Sequence, residues 1–220
     1  MKLRDDLGSW AHVPFADTPF TPSPEAMVER KMLERDGEEV ARATSIVRYA
    51  PGSSFPEHVH ERGEEFIVLD GTFADEHGSY PKHTYVRNPP GSKHRPFSEG
   101  GCTIFVKLRQ FAPNDTRKCI LALDDELPAE PAAIQMPLHI HAGEHVSLVR
   151  LAAGTTLDLD PNTPGTEIFV LRGAVDVGTL HCGVWAWLRA PRMTERLHSP
   201  AGCVFWLKQG HLPIGPTCGS

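Results

Sequence analysis

The chain has 220 residues and a formal net charge of −6, a size that suits one large domain or two smaller ones. Hydrophobic residues at 40% and charged residues at 23% exclude collagen, coiled coil and a disordered chain. The basic residues are scattered singly and no apolar run approaches the roughly 18 residues of a membrane span, so neither nucleic acid nor a membrane is an expected partner.

At the N-terminus, Asp5 and Asp6 stand where a signal peptide needs an apolar core, which leads to the expectation of a cytoplasmic protein. Pro24 to Asp36 has helical character, with Met27, Met32 and Leu33 apolar, so residues 1–39 read as an extension with a turn or two of helix. Beyond it, Ser45 to Tyr49, Glu65 to Leu69, Tyr85 to Arg87 and Thr103 to Leu108 are rich in β-branched and aromatic residues and bounded by Gly, Pro and Asn. That pattern is a series of short strands. The 19 glycines and 20 prolines, spread along the chain, agree with many turns. The acidic, Pro-rich stretch Asp124 to Pro131 reads as a linker. Five cysteines (Cys102, Cys119, Cys182, Cys203 and Cys218) lie far apart with no CxxC, which predicts reduced, buried thiols and no Cys-based zinc site.

The chain also repeats itself. Val47-Arg48-Tyr49-Ala50-Pro51-Gly52 has the shape of Val149-Arg150-Leu151-Ala152-Ala153-Gly154, and Glu65-Phe66-Ile67-Val68-Leu69-Asp70-Gly71 that of Glu167-Ile168-Phe169-Val170-Leu171-Arg172-Gly173, both at an offset of 102. At an offset of 101, Gly101-Cys102-Thr103-Ile104-Phe105-Val106-Lys107 falls on Gly202-Cys203-Val204-Phe205-Trp206-Leu207-Lys208. Three blocks in one order, with a single one-residue slip, indicate a duplication. Two tandem copies made of short strands predict a pair of sandwiches or small barrels.

Within the first copy, His58 and His60 are two apart, so on a strand their side chains share a face. The corner Glu61-Arg62-Gly63 lets the next strand bring Glu64 beside them, and His94 follows the turn Pro89-Pro90-Gly91. Three imidazoles and one carboxylate suit zinc, iron, manganese, nickel or copper, and ligand type alone does not choose. An isolated HxH is more often an exposed pair on a polar strand. Here Gly52 and Gly71, the glutamate and the PxGxxH segment set the pair in a metal-binding context.

These segments resemble the two conserved motifs of the cupin superfamily. More narrowly, Arg48-Tyr49-Ala50-Pro51-Gly52, His58-x-His60-x-x-Gly63-Glu64-Glu65-x-x-Val68-Leu69-x-Gly71, Asp75-Glu76-His77-Gly78-Ser79-Tyr80-Pro81 and Arg87-Asn88-Pro89-Pro90-Gly91-Ser92-x-His94 resemble the cupin domain of ChrR-type anti-sigma factors, over about residues 40 to 110. The resemblance implies an all-β fold of tandem double-stranded β-helix (jelly-roll) barrels, a bicupin. The first, metal-binding barrel is expected over residues 40–112, a linker over 113–136 and a second barrel over 137–215. It also implies that His58, His60, Glu64 and His94 hold one divalent metal ion per chain, zinc first, with iron, nickel or manganese as alternatives. A zinc-containing sensing or small-molecule-binding module is the expected function, and a metal-dependent dioxygenase acting on a small chelating oxygen substrate is the alternative. The two barrels are expected to pair within the chain as in a cupin dimer, and a homodimer stays open. ChrR-type proteins place a helical zinc domain with a His-x3-Cys-x2-Cys signature ahead of the cupin; here no cysteine precedes Cys102, so sigma-factor binding is not carried over.

In the second copy the offsets put Asp160, Asn162, Thr166 and Glu195 at the four ligand positions. A barrel without a transition-metal site is expected there. His139, His141 and His145 fall opposite Gly37, Glu39 and Ala43 of the first copy in this frame and read as a polar strand face. His77 reads as a turn residue, Glu65 and Glu167 as matched scaffold or surface residues, and Trp185, Trp187 and Trp206 as core. No catalytic residue is assigned.

Overall fold

The computed structural model describes residues 1–38, 40–127 and 132–212. The last part of the expected linker, Pro128 to Pro131, lies outside the described residues, as do Cys218 and the end of the second expected barrel. Among the described residues there is no α-helix, hence none long and apolar enough to cross a membrane. The fold is all-β, and the chain divides into two compact units, residues 1–5 with 18–124, and residues 6–17 with 125–220.

In the first unit the strands that matter are β1 (Val28–Gly37), β2 (Ala41–Tyr49), β3 (His58–His60), β4 (Glu64–Asp75), β5 (Thr84–Asn88), β6 (Ser92–His94), β7 (Cys102–Leu108) and β8 (Cys119–Ala122). The main sheet has the order β1-β2-β7-β4-β5-β8, and β3 pairs with β6 in a separate ladder. In the second unit β9 (Ala133–His141), β10 (Glu144–Leu151), β11 (Thr166–Gly173), β12 (Trp187–Ala190) and β13 (Cys203–Gln209) form a sheet of order β9-β10-β13-β11-β12, whose last place is taken by the N-terminal strand Ala11–Val13. The two units therefore repeat one jelly-roll strand order.

Register confirms the duplication residue by residue. A bulge leaves Leu69 unpaired between β4 and β7, and the equivalent bulge leaves Leu171 unpaired between β11 and β13. Gly71 and Gly173, just beyond, both have positive φ (71° and 70°), and a Cβ there would lie 2.2 and 2.1 Å from the carbonyls of Gly101 and Gly202. Such close backbone approach admits only glycine.

The helix expected over Pro24 to Asp36 is instead the strand β1. Between Met32, opposite Ser45, and Glu34, opposite Thr44, the register slips and leaves Leu33 as an extra residue. This bulge breaks the alternation that would mark the segment as a strand. The matching bulge in β9 leaves Leu138 between Pro137, opposite Ser147, and His139, opposite Val146. Thus β1 and β9 are equivalent at an offset of 105, because five residues separate Asp36 from its partner Arg42 whereas two separate His141 from its partner Glu144. His139 and His141 accordingly correspond to Glu34 and Asp36, not to Gly37 and Glu39, while His145 keeps its place opposite Ala43. The first unit's sheet thus reaches beyond residues 40 and 112 through β1 and β8, and β9 begins at Ala133, inside the expected linker.

Phe66, Val68, Tyr49, Val86, Ile104 and Val106 belong to the apolar cluster inside the first barrel. Ile168, Val170, Leu151, Leu188, Phe205 and Leu207 do the same in the second. Alternation along β4 puts Glu64 on the face of Phe66 and Val68, and Glu65 on the other. Glu65 is a buried scaffold residue: it accepts hydrogen bonds from Tyr85 Oη (2.5 Å) and Arg87 Nη1 (2.9 Å), while Arg87 Nη2 reaches Asp115 at 2.7 Å. Glu167 is buried likewise and accepts from Trp187 Nε1 at 3.0 Å. Trp187 and Trp206 are fully buried but lie outside the cluster that fills the barrel. Trp185 is half-buried, with φ 62°, and packs edge-on against Phe15. Cys102, Cys182 and Cys203 are buried free thiols, and Cys119 is buried. Burial pushes the Cys182 thiol up to about 12 and Cys102 to about 11, so neither supplies a thiolate at neutral pH.

Candidate metal centre

The turn at Gly63 carries the chain from β3 into β4. The Gly63 N–H donates to the His60 carbonyl at 3.2 Å, and φ is 76°. A Cβ at Gly63 would sit 2.4 Å from the Phe111 ring, which itself lies under the Arg87 guanidinium at 4.0 Å. The buried Arg87 cluster thus seats the corner that joins His60 to Glu64. In the facing ladder His94 lies directly opposite His58, and Ser92 opposite His60. The Gly91 N–H donates to the His60 carbonyl at 2.9 Å, tying the Pro-Pro-Gly turn to β3.

The structure brings all four sequence-predicted ligands together. One donor atom from each of His58, His60, Glu64 and His94 lies within 4.8 Å of the others. The three imidazole centroids are 4.7 to 5.0 Å apart. Glu64 Oε2 stands 3.4 Å from His60 Nε2 and 3.6 Å from His94 Nε2. His60, Glu64 and His94 are buried, and His58 is half-buried.

The donor set fits a divalent transition metal on three counts. Nε2 of His60 and of His94 are buried with no hydrogen-bond partner, which is costly unless something else occupies them. His58 Nδ1 is 3.0 Å from the Pro56 carbonyl and His94 Nδ1 is 3.0 Å from Asp75 Oδ2. Because those acceptors require Nδ1–H, both rings turn a bare Nε2 towards the centre, the outer-shell pattern of metal-binding imidazoles. Glu64 in turn accepts from Asn88 Nδ2 at 3.0 Å, which fixes its carboxylate.

Electrostatics divides the imidazoles. Burial lowers the pKa of His60, reinforced by the neighbouring His94 and His58 and only partly offset by Glu64. For His94 burial also opposes the charged form, but the Asp75 hydrogen bond and the charges of Glu64, Asp75 and Glu76 outweigh it and raise the pKa. Asp75 is buried too, yet hydrogen bonds from His94, the His77 N–H and Tyr80 hold it below the usual carboxylate value. A carboxylate so anchored stabilises positive charge on the far nitrogen of His94, whether proton or metal.

Asp75, Asn88 and Tyr49 escaped sequence reasoning as site residues. Asp75 and Asn88 stand in the motifs quoted above, but only the fold shows which ligand each supports. Tyr49 lines the cavity beside the ligands, and burial with the nearby Glu64 charge raises its pKa well above normal. His77 is exposed, with Nε2 3.4 Å from the Lys93 carbonyl, and belongs to the turn. The site opens on a cavity of about 390 Å³ inside the first barrel, walled by Val47, Phe55, Ile104, Val106 and Leu108 with polar groups at its edges. That volume falls within the range of small-molecule sites.

In the second unit Asp160, Asn162, Thr166 and Glu195 belong to no converging group of potential metal ligands among the described residues. Asp160 and Asn162 are exposed and bonded to each other, Asn162 Nδ2 to Asp160 Oδ1 at 3.0 Å. Glu195 is exposed, and Thr166 is buried.

Residues 9–112 match the family model of the ChrR cupin-like domain. No curated protein matches the chain. Similar solved structures include a "putative dioxygenase" from Nostoc punctiforme (16% identity, TM-score 0.73, 96% of this chain and 86% of that one). Bacterial pirin YhhW from Escherichia coli in complex with nickel(II) is another (11% identity, TM-score 0.72, 94% and 100%). A cupin 2 conserved barrel domain protein from Leptotrichia buccalis is a third (9% identity, TM-score 0.61, 94% and 99%). At these identities the likeness is one of fold. The family match covers residues 9–112, and beyond them the likeness to these neighbours is that of the cupin fold.

Proposed function

We propose that this chain is a metal-binding bicupin whose first barrel holds one divalent ion, zinc first, on His58, His60, Glu64 and His94, and uses it to bind a small molecule in the adjoining cavity as a ChrR-like sensing or binding module. The observation that carries the reading is the pair of buried, partnerless Nε2 atoms of His60 and His94 beside Glu64. Pro56 and Asp75 orient His58 and His94, Asn88 orients Glu64, and the apolar wall of the cavity excludes water from the ligand's body. A bound ion supplies Lewis acidity there, and iron, nickel or manganese adds affinity for oxygen donors.

A second reading, a metal-dependent dioxygenase for a small chelating oxygen substrate, draws on the name of the Nostoc punctiforme neighbour. Elemental analysis of natively loaded protein with oxygen-uptake assays on β-diketone and phenolic substrates separates the two. Stoichiometric zinc without uptake is the expected result. Iron, nickel or manganese with uptake overturns the first reading for the second, and protein that retains no metal overturns both.

A further inference from the structure

We propose that the ligand of the first barrel is a small carboxylate with an apolar body, and that Arg30 is the residue that selects its charge. This deepens the function proposed above, because it takes the cavity beside the metal ligands as the binding site.

Val28 on β1 belongs to the barrel's apolar cluster, and Arg30, two residues on, faces the same way and lines the cavity. Its half-buried side chain has an Nε with no hydrogen-bond partner, and no carboxylate among the described residues pairs with its guanidinium. The other charges on the cavity wall are engaged. Arg109 Nη1 donates to Glu61 at 2.7 Å, Arg35 donates to the Glu38 carbonyl, and Glu64 belongs to the ligand cluster. A guanidinium left facing a cavity with no countercharge favours an anion, and its planar fork matches a carboxylate. The remaining wall is apolar, through residues such as Val47, Phe55, Ile104 and Val106, which suits a hydrocarbon or aromatic body rather than a bare inorganic anion.

The duplication supplies an internal control. Arg30 stands opposite Val47, and its counterpart Gln135 stands opposite Val149. Gln135 is neutral and donates to Ser147 Oγ at 3.1 Å, in the barrel whose ligands are gone. The cation is thus present where the metal ligands are present and absent where they are absent.

The test is calorimetric titration of the full chain, metal-loaded and chelator-stripped, with hydrocinnamate and its uncharged isostere hydrocinnamamide. The wild type is expected to prefer the carboxylate by at least about 10-fold in both forms, the scale of a hydrogen bond to a charged group. Arg30→Gln should bring the two probes within about 3-fold with metal content and melting temperature unchanged, while Arg30→Lys should keep most of the preference. Equal binding of the probes by the wild type, no binding of hydrocinnamate, or a preference that survives Arg30→Gln overturns the proposal. A preference that persists in a protein which never holds metal sustains it and overturns only the metal-dependent reading.

Discussion

The two barrels share a scaffold and differ in what fills it. The bulges at Leu69 and Leu171, the glycines Gly71 and Gly173, and the buried pairs Glu65 with Tyr85 and Glu167 with Trp187 recur at matching places. The polar residues around the centre do not. Tyr49, Asp75 and Asn88 become Leu151, Val177 and Ala190, all buried in the second barrel's apolar cluster, which Met193 also joins. The β3–β6 ladder that carries His58, His60 and His94 has no counterpart among the described residues of the second unit. His58, His60, Glu64 and His94 and the residues that orient them have been exchanged as a group. Constraints that hold a jelly roll together are therefore separable from those that make a site, and the second barrel shows what the first looks like without the latter.

The largest expected difference is in metal content. His60→Ala combined with His94→Ala should reduce the ion from about one per chain to background, since oxygen-only or two-ligand remnants bind late transition metals poorly. Asp160→Ala combined with Glu195→Ala should leave it unchanged. Elemental analysis after gel filtration reads both, and loss of metal in the second pair would break the asymmetry.

Next comes the scaffold beneath the site. Arg87→Met leaves Glu65 and Asp115 as buried carboxylates without their cation, a lesion of about 3–5 kcal/mol. Urea denaturation of the chelator-stripped protein measures it. A loss below about 1 kcal/mol would mean that the Arg87 cluster does not hold the Gly63 corner, and the link between scaffold and site would fail.

A smaller, purely local effect is expected at Asp75. Asp75→Asn retains a hydrogen-bonding group but removes the charge behind His94, and should weaken metal affinity about 10–100-fold with little change in fold. Competition with a chelating dye gives the affinity. Unchanged affinity would show that Val177 in the second barrel is incidental to the loss of the site.

How far sequence carries the structure follows the same division. The convergence of His58, His60, Glu64 and His94 is legible because a strand's period of two and a glycine corner convert spacing directly into geometry. The strand blocks of β2, β4, β5 and β7 are legible because their β-branched runs are bounded by turn residues. β1 is not, since it carries charged Arg30 and Glu34 on barrel-facing or buried positions and its bulge at Leu33 breaks the alternation that marks a strand. The hairpin after it differs in length between the copies, which shifts the repeat frame by three residues and misplaces His139 and His141. Asp75 and Asn88 depend on pairings between segments far apart in the chain, which spacing alone does not encode.

The smallest effect, and the sharpest on the second barrel, is at Thr166, the counterpart of Glu64. Glu64 stands opposite Asn88 and Leu108, and Thr166 opposite Ala190 and Gln209. Its side chain is fully buried, and Oγ1 has no hydrogen-bond partner. A buried hydroxyl without a partner loses its solvation for nothing in return, so an isosteric methyl at that place is neutral or favourable. Thr166→Val should leave stability unchanged or raise it by up to about 1 kcal/mol, read from the urea midpoint at constant slope. Val fits the strand at least as well as Thr, so propensity does not oppose the change. A loss of more than about 1 kcal/mol would mean that the hydroxyl has an ordered partner, and the second barrel would then hold something at the position where the first holds Glu64.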